Sequence, residues 1–130
     1  MILIIDTTDK ECEVAMARGH KIDSIKWLWA QRAPLRGKKD TGTEVLKNIQ
    51  KLLKKRRKHL KDIEAIAVNQ GPGSFTGTRV GITIANTLGW ALKIPVLGYA
   101  NEKTADIARK IYRKIKKGQI PFGHFPTPRY

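Results

Sequence analysis

Two places in the chain hold residues whose types and spacing suit chemistry. One is Asp6, and the other is the segment Gly71-Pro72-Gly73-Ser74-Phe75-Thr76-Gly77-Thr78-Arg79-Val80-Gly81. Asp6 closes the apolar run Ile2 to Ile5, which reads as a buried strand, and Thr7-Thr8 follow it. A carboxylate there can face a phosphate-bound metal, or it can hold the turn by accepting bonds from the threonines. Close approach of backbone amides to a phosphate asks for glycine after the acid, and threonine fills those places. The turn-holding role is therefore favoured. The Gly71–Thr76 loop could cradle an anion at a helix N-terminus. It lacks the Gly-Lys-Ser/Thr of a phosphate-binding P-loop, and no Gly-x-Ser-x-Gly elbow surrounds Ser74. No Ser/His/Asp or Cys/His set is visible, and His20, His59 and His124 lie too far apart for metal-ligand spacing. No catalytic residue, metal or cofactor is expected.

The elements that carry these residues follow from pattern. Ile63 to Val68 reads as a strand, and Gly71-Pro72 as a tight turn out of it. Phe75 to Lys93 reads as a helix, capped by Ser74 or Thr76 and stopped by Pro95. Within that helix Gly77, Gly81, Ala85 and Gly89 recur every fourth residue and so share one face. Interior helical glycine costs about 0.5–1 kcal/mol relative to alanine, so another backbone must approach this stripe closely. That backbone belongs either to the chain's own sheet and first helix or to another protein, with Val80, Ile84 and Leu88 adding apolar area beside it. The intermolecular reading is preferred.

Upstream, Glu11–Arg18 and Lys21–Ala30 alternate in polarity and read as half-buried strands of a meander, with Asp23, Ile25, Trp27 and Trp29 on the covered face of the second. Gln31 to Lys39 is a loop. Thr41 and Glu44 match a capping box for a helix reaching about His59, with an apolar face of Val45, Leu46, Ile49, Leu52 and Leu53. Val96–Tyr99 is a short strand. Asn101 is expected to cap a third helix to about Lys117, with Ala105, Ala108, Ile111, Tyr112 and Ile115 inward and Gly118 ending it. The order β-β-β-α-β-α-β-α predicts a mixed five-stranded sheet with helices packed on it. Residues 1–118 form one lobe, and 119–130 an extended tail rich in proline and aromatics.

The 130 residues suffice for one core, and no apolar run approaches the roughly 18 residues of a membrane span. One cysteine, Cys12, excludes an internal disulfide and fits a reducing cytoplasm. The net charge of +15 sits mainly on the first and third helices. Lys54, Lys55, Arg56, Arg57 and Lys58 form one basic block, and Arg109, Lys110, Arg113 and Lys114 belong to the other. Such a field attracts polyanions, with RNA the default candidate, or it is a solubilising surface. No aromatic stacking platform can be placed, which argues against sequence-specific RNA reading.

The segment GPGSFTGTRVG resembles the signature of the TsaB (YeaZ) family. The opening MILIIDTT resembles that family's first strand and Asp-Thr turn, and IPVLG its later short strand. The matching residues include Asp6, Gly71 to Gly77 and Arg79, and the likeness runs in order from Met1 to about Ala108. It implies an actin/hexokinase-like, ribonuclease-H-like fold and an accessory role in making threonylcarbamoyladenosine in tRNA. It also implies a TsaD-type catalytic partner bound through the first two helices. The interface expected on this basis is Gly77, Val80, Gly81, Ile84, Ala85, Leu88 and Gly89, with a homodimer through the second helix as a secondary possibility.

Two departures point away from catalysis. Family members usually continue into a second, smaller lobe, and half a cleft cannot sequester a nucleotide. Thr41-Gly42 stand where the family often has His-Ser, and the first helix offers only His59 where catalytic relatives ligate metal with two histidines. The expectation is a non-catalytic, cytoplasmic scaffold that activates a TsaD-type subunit. The rivals are a stand-alone basic RNA-binding domain and a fragment whose second lobe is a separate chain.

Overall fold

The computed structural model describes residues 1–28, 41–119 and 122–129, with the Thr41 side chain left aside. The elements are β1 (Ile2–Asp6), β2 (Glu11–Arg18), β3 (Lys21–Leu28), α1 (Thr41–Lys55), β4 (Ala65–Asn69), α2 (Phe75–Leu92), β5 (Val96–Tyr99) and α3 (Thr104–Lys116). A short 3-10 turn, Leu60–Asp62, precedes β4. The sheet order is β3-β2-β1-β4-β5. β1–β2 and β2–β3 pair antiparallel, while β1–β4 and β4–β5 pair parallel. The mixed five-stranded sheet and its meander are as the pattern predicts.

Because side chains alternate along a strand, β1 supplies two cores at once. Leu3 and Ile5 join Val14, Met16, Ile66 and Val68 beneath α1 and α2, which add Val45, Ile49, Leu52, Ile82 and Ala85. Ile2 and Ile4 face the other way, with Ala15, Ala17, Ala65 and Ala67 against Ile107, Ala108 and Ile111 of α3. β2 was expected to be half-buried. Its inner residues are instead covered on both faces, because α3 closes over Ala15 and Ala17. On β3, Ile25 and Trp27 do pack against the core while Leu28 is exposed; Trp29 and the 31–39 loop lie outside the described residues.

Several boundaries differ from expectation for local reasons. α1 ends at Lys55 rather than near His59, because Arg57 turns left-handed at φ 54°. Lys58 N–H then bonds the Leu53 carbonyl and Arg57 N–H the Lys54 carbonyl, closing the helix end. Lys93 (φ 57°) and Gly118 (φ 64°) close α2 and α3 with the same bond pattern, so Gly118 stops α3 as expected. Asn101 caps nothing: α3 starts at Thr104 with Lys103 before it, and Ile107 rather than exposed Ala105 faces inward. β4 begins at Ala65 rather than Ile63, although Ile63 is buried. Any cap of α1 involves residue 40 or the Thr41 side chain, outside the described set.

Residues 122–129 of the tail carry no regular element and are bonded back onto the lobe. Arg129 N–H bonds the Gln70 carbonyl at 2.8 Å, Gln70 Nε2 donates to the Thr127 carbonyl at 3.0 Å, and Asn86 Nδ2 donates to the Pro126 carbonyl at 2.9 Å. Pro126 is buried. The tail therefore docks where β4 meets the glycine-rich loop.

Candidate functional site

The two segments singled out in the sequence meet at the C-terminal ends of β1 and β4. Asp6 Oδ1 accepts from the Thr8 N–H at 3.0 Å and the Thr8 hydroxyl at 2.7 Å, and Oδ2 accepts from Asn69 Nδ2 at 3.1 Å. The carboxylate is thus committed to its turn. Asn69 Oδ1 in turn takes the Gly71 N–H at 3.0 Å. Asn69 carries this link as the last residue of β4, and the sequence reading passed over it.

The loop is stitched to β1. Ser74 N–H donates to the Thr8 carbonyl at 2.7 Å, and a side chain on Gly73 would collide with Thr8. Ser74 caps α2 as expected, its Oγ accepting from the Gly77 N–H at 3.1 Å, and Thr78 N–H returns to the Ser74 carbonyl at 3.0 Å. An anion cradle needs free amides. Those of Gly71, Ser74, Gly77 and Thr78 are used within the chain and serve a clasp that joins β1, β4 and α2. Among the described residues no group of three or more His, Cys, Asp or Glu could hold a metal.

The glycine stripe requires a correction. Gly77, Gly81, Ala85 and Gly89 are all buried, on the face of α2 that lies on its own sheet. A Cβ at Gly81 would run into Thr7 Oγ1 and press on Ile5, and one at Gly89 would run into Val96. The Thr7 hydroxyl also donates to the Gly77 carbonyl. The close approach is real, but what approaches is mainly side chains of the same chain, Thr7, Ile5 and Val96, with the Ile94 carbonyl the one backbone atom beside Gly89. Of the expected interface, Val80, Ile84 and Leu88 are the half-buried members, and Ile84 and Leu88 partly pack on the core.

Beside them lies a shallow, mainly apolar cleft of about 400 Å³, lined by Gly42 at the start of α1 and by Phe75, Thr76, Arg79, Val80, Thr83 and Ile84 of α2. Phe75 is 59% exposed and carries the Arg79 guanidinium over its ring at 5.2 Å. Leu46 on α1 is 47% exposed, and Trp90 near the end of α2 is 69% exposed. Leu46 reads as core from its spacing, and nothing in the periodicity marks Phe75 or Trp90 as outward. A helix with apolar residues all round is the one available signal.

The basic helices lie on opposite faces of the sheet, α1 with the first core and α3 with the second. Arg56 is tied to Asp23 at 2.7 Å and Lys55 reaches it at 3.4 Å. Arg109 pairs with Asp106 at 3.9 Å and Lys110 with Glu102 at 2.6 Å. Lys54, Arg57, Arg113 and Lys114 are exposed.

This architecture, with its clasped β1 turn and glycine-rich loop, is that of a ribonuclease-H-like α/β lobe. The tRNA N6-adenosine threonylcarbamoyltransferase (TsaD) family matches residues 34–103. The tRNA threonylcarbamoyladenosine biosynthesis protein TsaB of Buchnera aphidicola from Schizaphis graminum is 37% identical over 92% of this chain and 52% of its own length. YeaZ from Pseudomonas aeruginosa superposes with a TM-score of 0.65 at 29% identity, covering 88% of this chain and 49% of that one. RuvC of T. thermophilus, in complex with a Holliday junction substrate, shares the fold alone, with a TM-score of 0.51 at 12% identity, covering 98% of this chain and 82% of that one. The chain belongs to the TsaB (YeaZ) family, within the wider group that TsaD typifies. It spans about half the length of the curated relatives it matches. No described helix is long and apolar enough to cross a membrane.

Proposed function

We propose that this chain is the first lobe of a non-catalytic scaffold that binds and activates a TsaD-type subunit in tRNA threonylcarbamoyladenosine synthesis. The observation that carries this reading is the apolar cleft on the outer side of α1 and α2, with Phe75, Val80 and Ile84 on its wall and Leu46 exposed on α1 nearby. Exposed aromatic and aliphatic side chains beside a concavity suit a protein partner. A non-catalytic role is supported by the use of Asp6 and four loop amides inside the clasp, which leaves them unavailable to a nucleotide. The lobe runs to about Gly118, and the tail packs back onto it.

Co-purification with a TsaD-type protein from the same genome tests the reading. The parent chain is expected to hold that partner through size exclusion. Thr83→Arg, at an exposed position on the cleft wall, is expected to abolish the complex with an unchanged melting temperature. A parent chain that dimerises on this face and ignores the TsaD-type protein would replace the proposed partner with a second copy.

A further inference from the structure

We propose a groove for a phosphodiester backbone at the pole where the parallel strands begin, opposite the clasp. Two adjoining clefts, of about 390 Å³ and 660 Å³, share Met1, Arg18 and Lys58. Arg18 and Lys21 come from the β2–β3 hairpin, Arg56 and Lys58 from the end of α1, and Tyr112 from α3. The topology thus brings both basic helices to one end of the sheet, although they occupy opposite faces.

The groove is held in place. Arg56 Nη2 donates to the Lys21 carbonyl at 3.2 Å while its Nε holds Asp23, which fastens α1 to the hairpin. The Tyr112 hydroxyl donates to the Ala17 carbonyl at 2.9 Å, which fastens α3 to the other strand of the hairpin. The acids nearby are fewer than the cations. Asp23 takes Arg56 and Lys55, Glu64 takes the Met1 amino group, and Asp62, which takes the His59 N–H at 2.8 Å, keeps its charge and feels Lys58 and Lys61. Arg18, Lys21, Lys58 and Lys61 have no ion pair among the described residues.

A competing account is that these cations only offset the helix C-termini. Each helix end carries about half a unit of negative charge, which two helices cannot raise to the number of unpaired cations present. An anionic membrane is a poorer fit, because interfacial binding needs large apolar side chains to insert, and of those lining the clefts Met1 is buried and Tyr112 is bonded to Ala17. A phosphate backbone needs only spaced cations on rigid supports.

The test uses the chain without any partner protein, so that it stands apart from the α1/α2 reading. Fluorescence anisotropy is read with tRNA and with duplex DNA from about 50 to 200 mM salt. Arg18→Gln/Lys21→Gln/Lys58→Gln is compared with Lys10→Gln/Arg79→Gln/Lys103→Gln, which loses equal charge elsewhere. The groove triple is expected to lower affinity about tenfold or more at low salt and to flatten the log–log salt slope by about two. The control triple should change either far less. Equal losses in both would show that net charge alone drives binding and would overturn the groove, as would binding to anionic vesicles but to neither nucleic acid. Should the groove triple fail to fold, lysine acetylation of the parent decides. tRNA, or the DNA if that is the ligand, should protect Lys21, Lys58 and Lys61 and leave Lys10 and Lys103 reactive; uniform protection refutes the site.

Discussion

The Thr7 hydroxyl donates to the carbonyl of Gly77, 70 residues away, and the missing side chain of Gly81 leaves the space that Thr7 occupies. One bond and one vacancy thus fix how close α2 lies to β1. Gly81→Ala should press on Thr7 Oγ1, displace that bond and destabilise the fold by roughly 1–3 kcal/mol. Thr7→Ala should cost about 1 kcal/mol alone. In the double variant the small residue at position 7 makes room for the new methyl, so the two losses should not add. Chemical denaturation of all four proteins checks this; strict additivity would disprove the contact.

The same pair shows what was legible in the sequence. Glycines at every fourth position announce a close approach, and the apolar run with Asp6 announces a strand that turns sharply. Neither states what fills the space beside the glycines, because helical spacing specifies a face and not its neighbour. The order of elements along the chain and the antiparallel meander were readable from alternation followed by α/β units. The burial of Ala15 and Ala17 was not, since it depends on α3 arriving from nearly a hundred residues downstream (Thr104 bonds Glu13 across a separation of 91). Exposed Phe75 and Trp90 were missed because an apolar residue at a helical position reads as core by default.

Cys12 is completely buried, and its thiol is pushed up to about 12 by burial, with the negative charges of Asp6 and Asp9 adding to the effect. Thiolate is the reactive form, so the native protein should resist a thiol reagent at pH 8 and react at once in denaturant. Rapid labelling under native conditions would mean that β2 opens locally.

Asp23 is held below the usual carboxylate range first by its hydrogen bond from Arg56 and then by Lys55. A carboxyl lowered in the folded state stabilises it above the unfolded pKa, and that contribution is lost as pH falls through the folded value. Asp23→Asn should therefore lower the melting temperature at pH 7. The gap between variant and parent should close as pH drops below about 3.9, the ordinary value for aspartate. A gap independent of pH would mean that the side chain acts by shape alone.

Gly71 reports on the docked tail. Its φ of +94° disfavours any other residue, and a Cβ there would lie 2.6 Å from the Arg129 carbonyl oxygen. Gly71→Ala should thus carry two costs in the full chain, backbone strain of about 1 kcal/mol and displacement of the tail. Ending the chain at Gln119 removes three hydrogen bonds, as Gln70 Nε2 and Asn86 Nδ2 lose their carbonyl acceptors and the Gln70 carbonyl loses the Arg129 N–H, and should by itself cost about 1–3 kcal/mol. In that shortened protein the backbone strain and the contact with the Gly73 nitrogen remain, but the clash with Arg129 is gone. The substitution should therefore cost measurably less there than in the full chain, and urea midpoints of the four proteins give the difference. An equal cost in both backgrounds would mean that the tail does not rest on Gly71 in solution. A smaller one establishes that the tail seals the end of β4 beside the clasp and adds to the stability of the lobe.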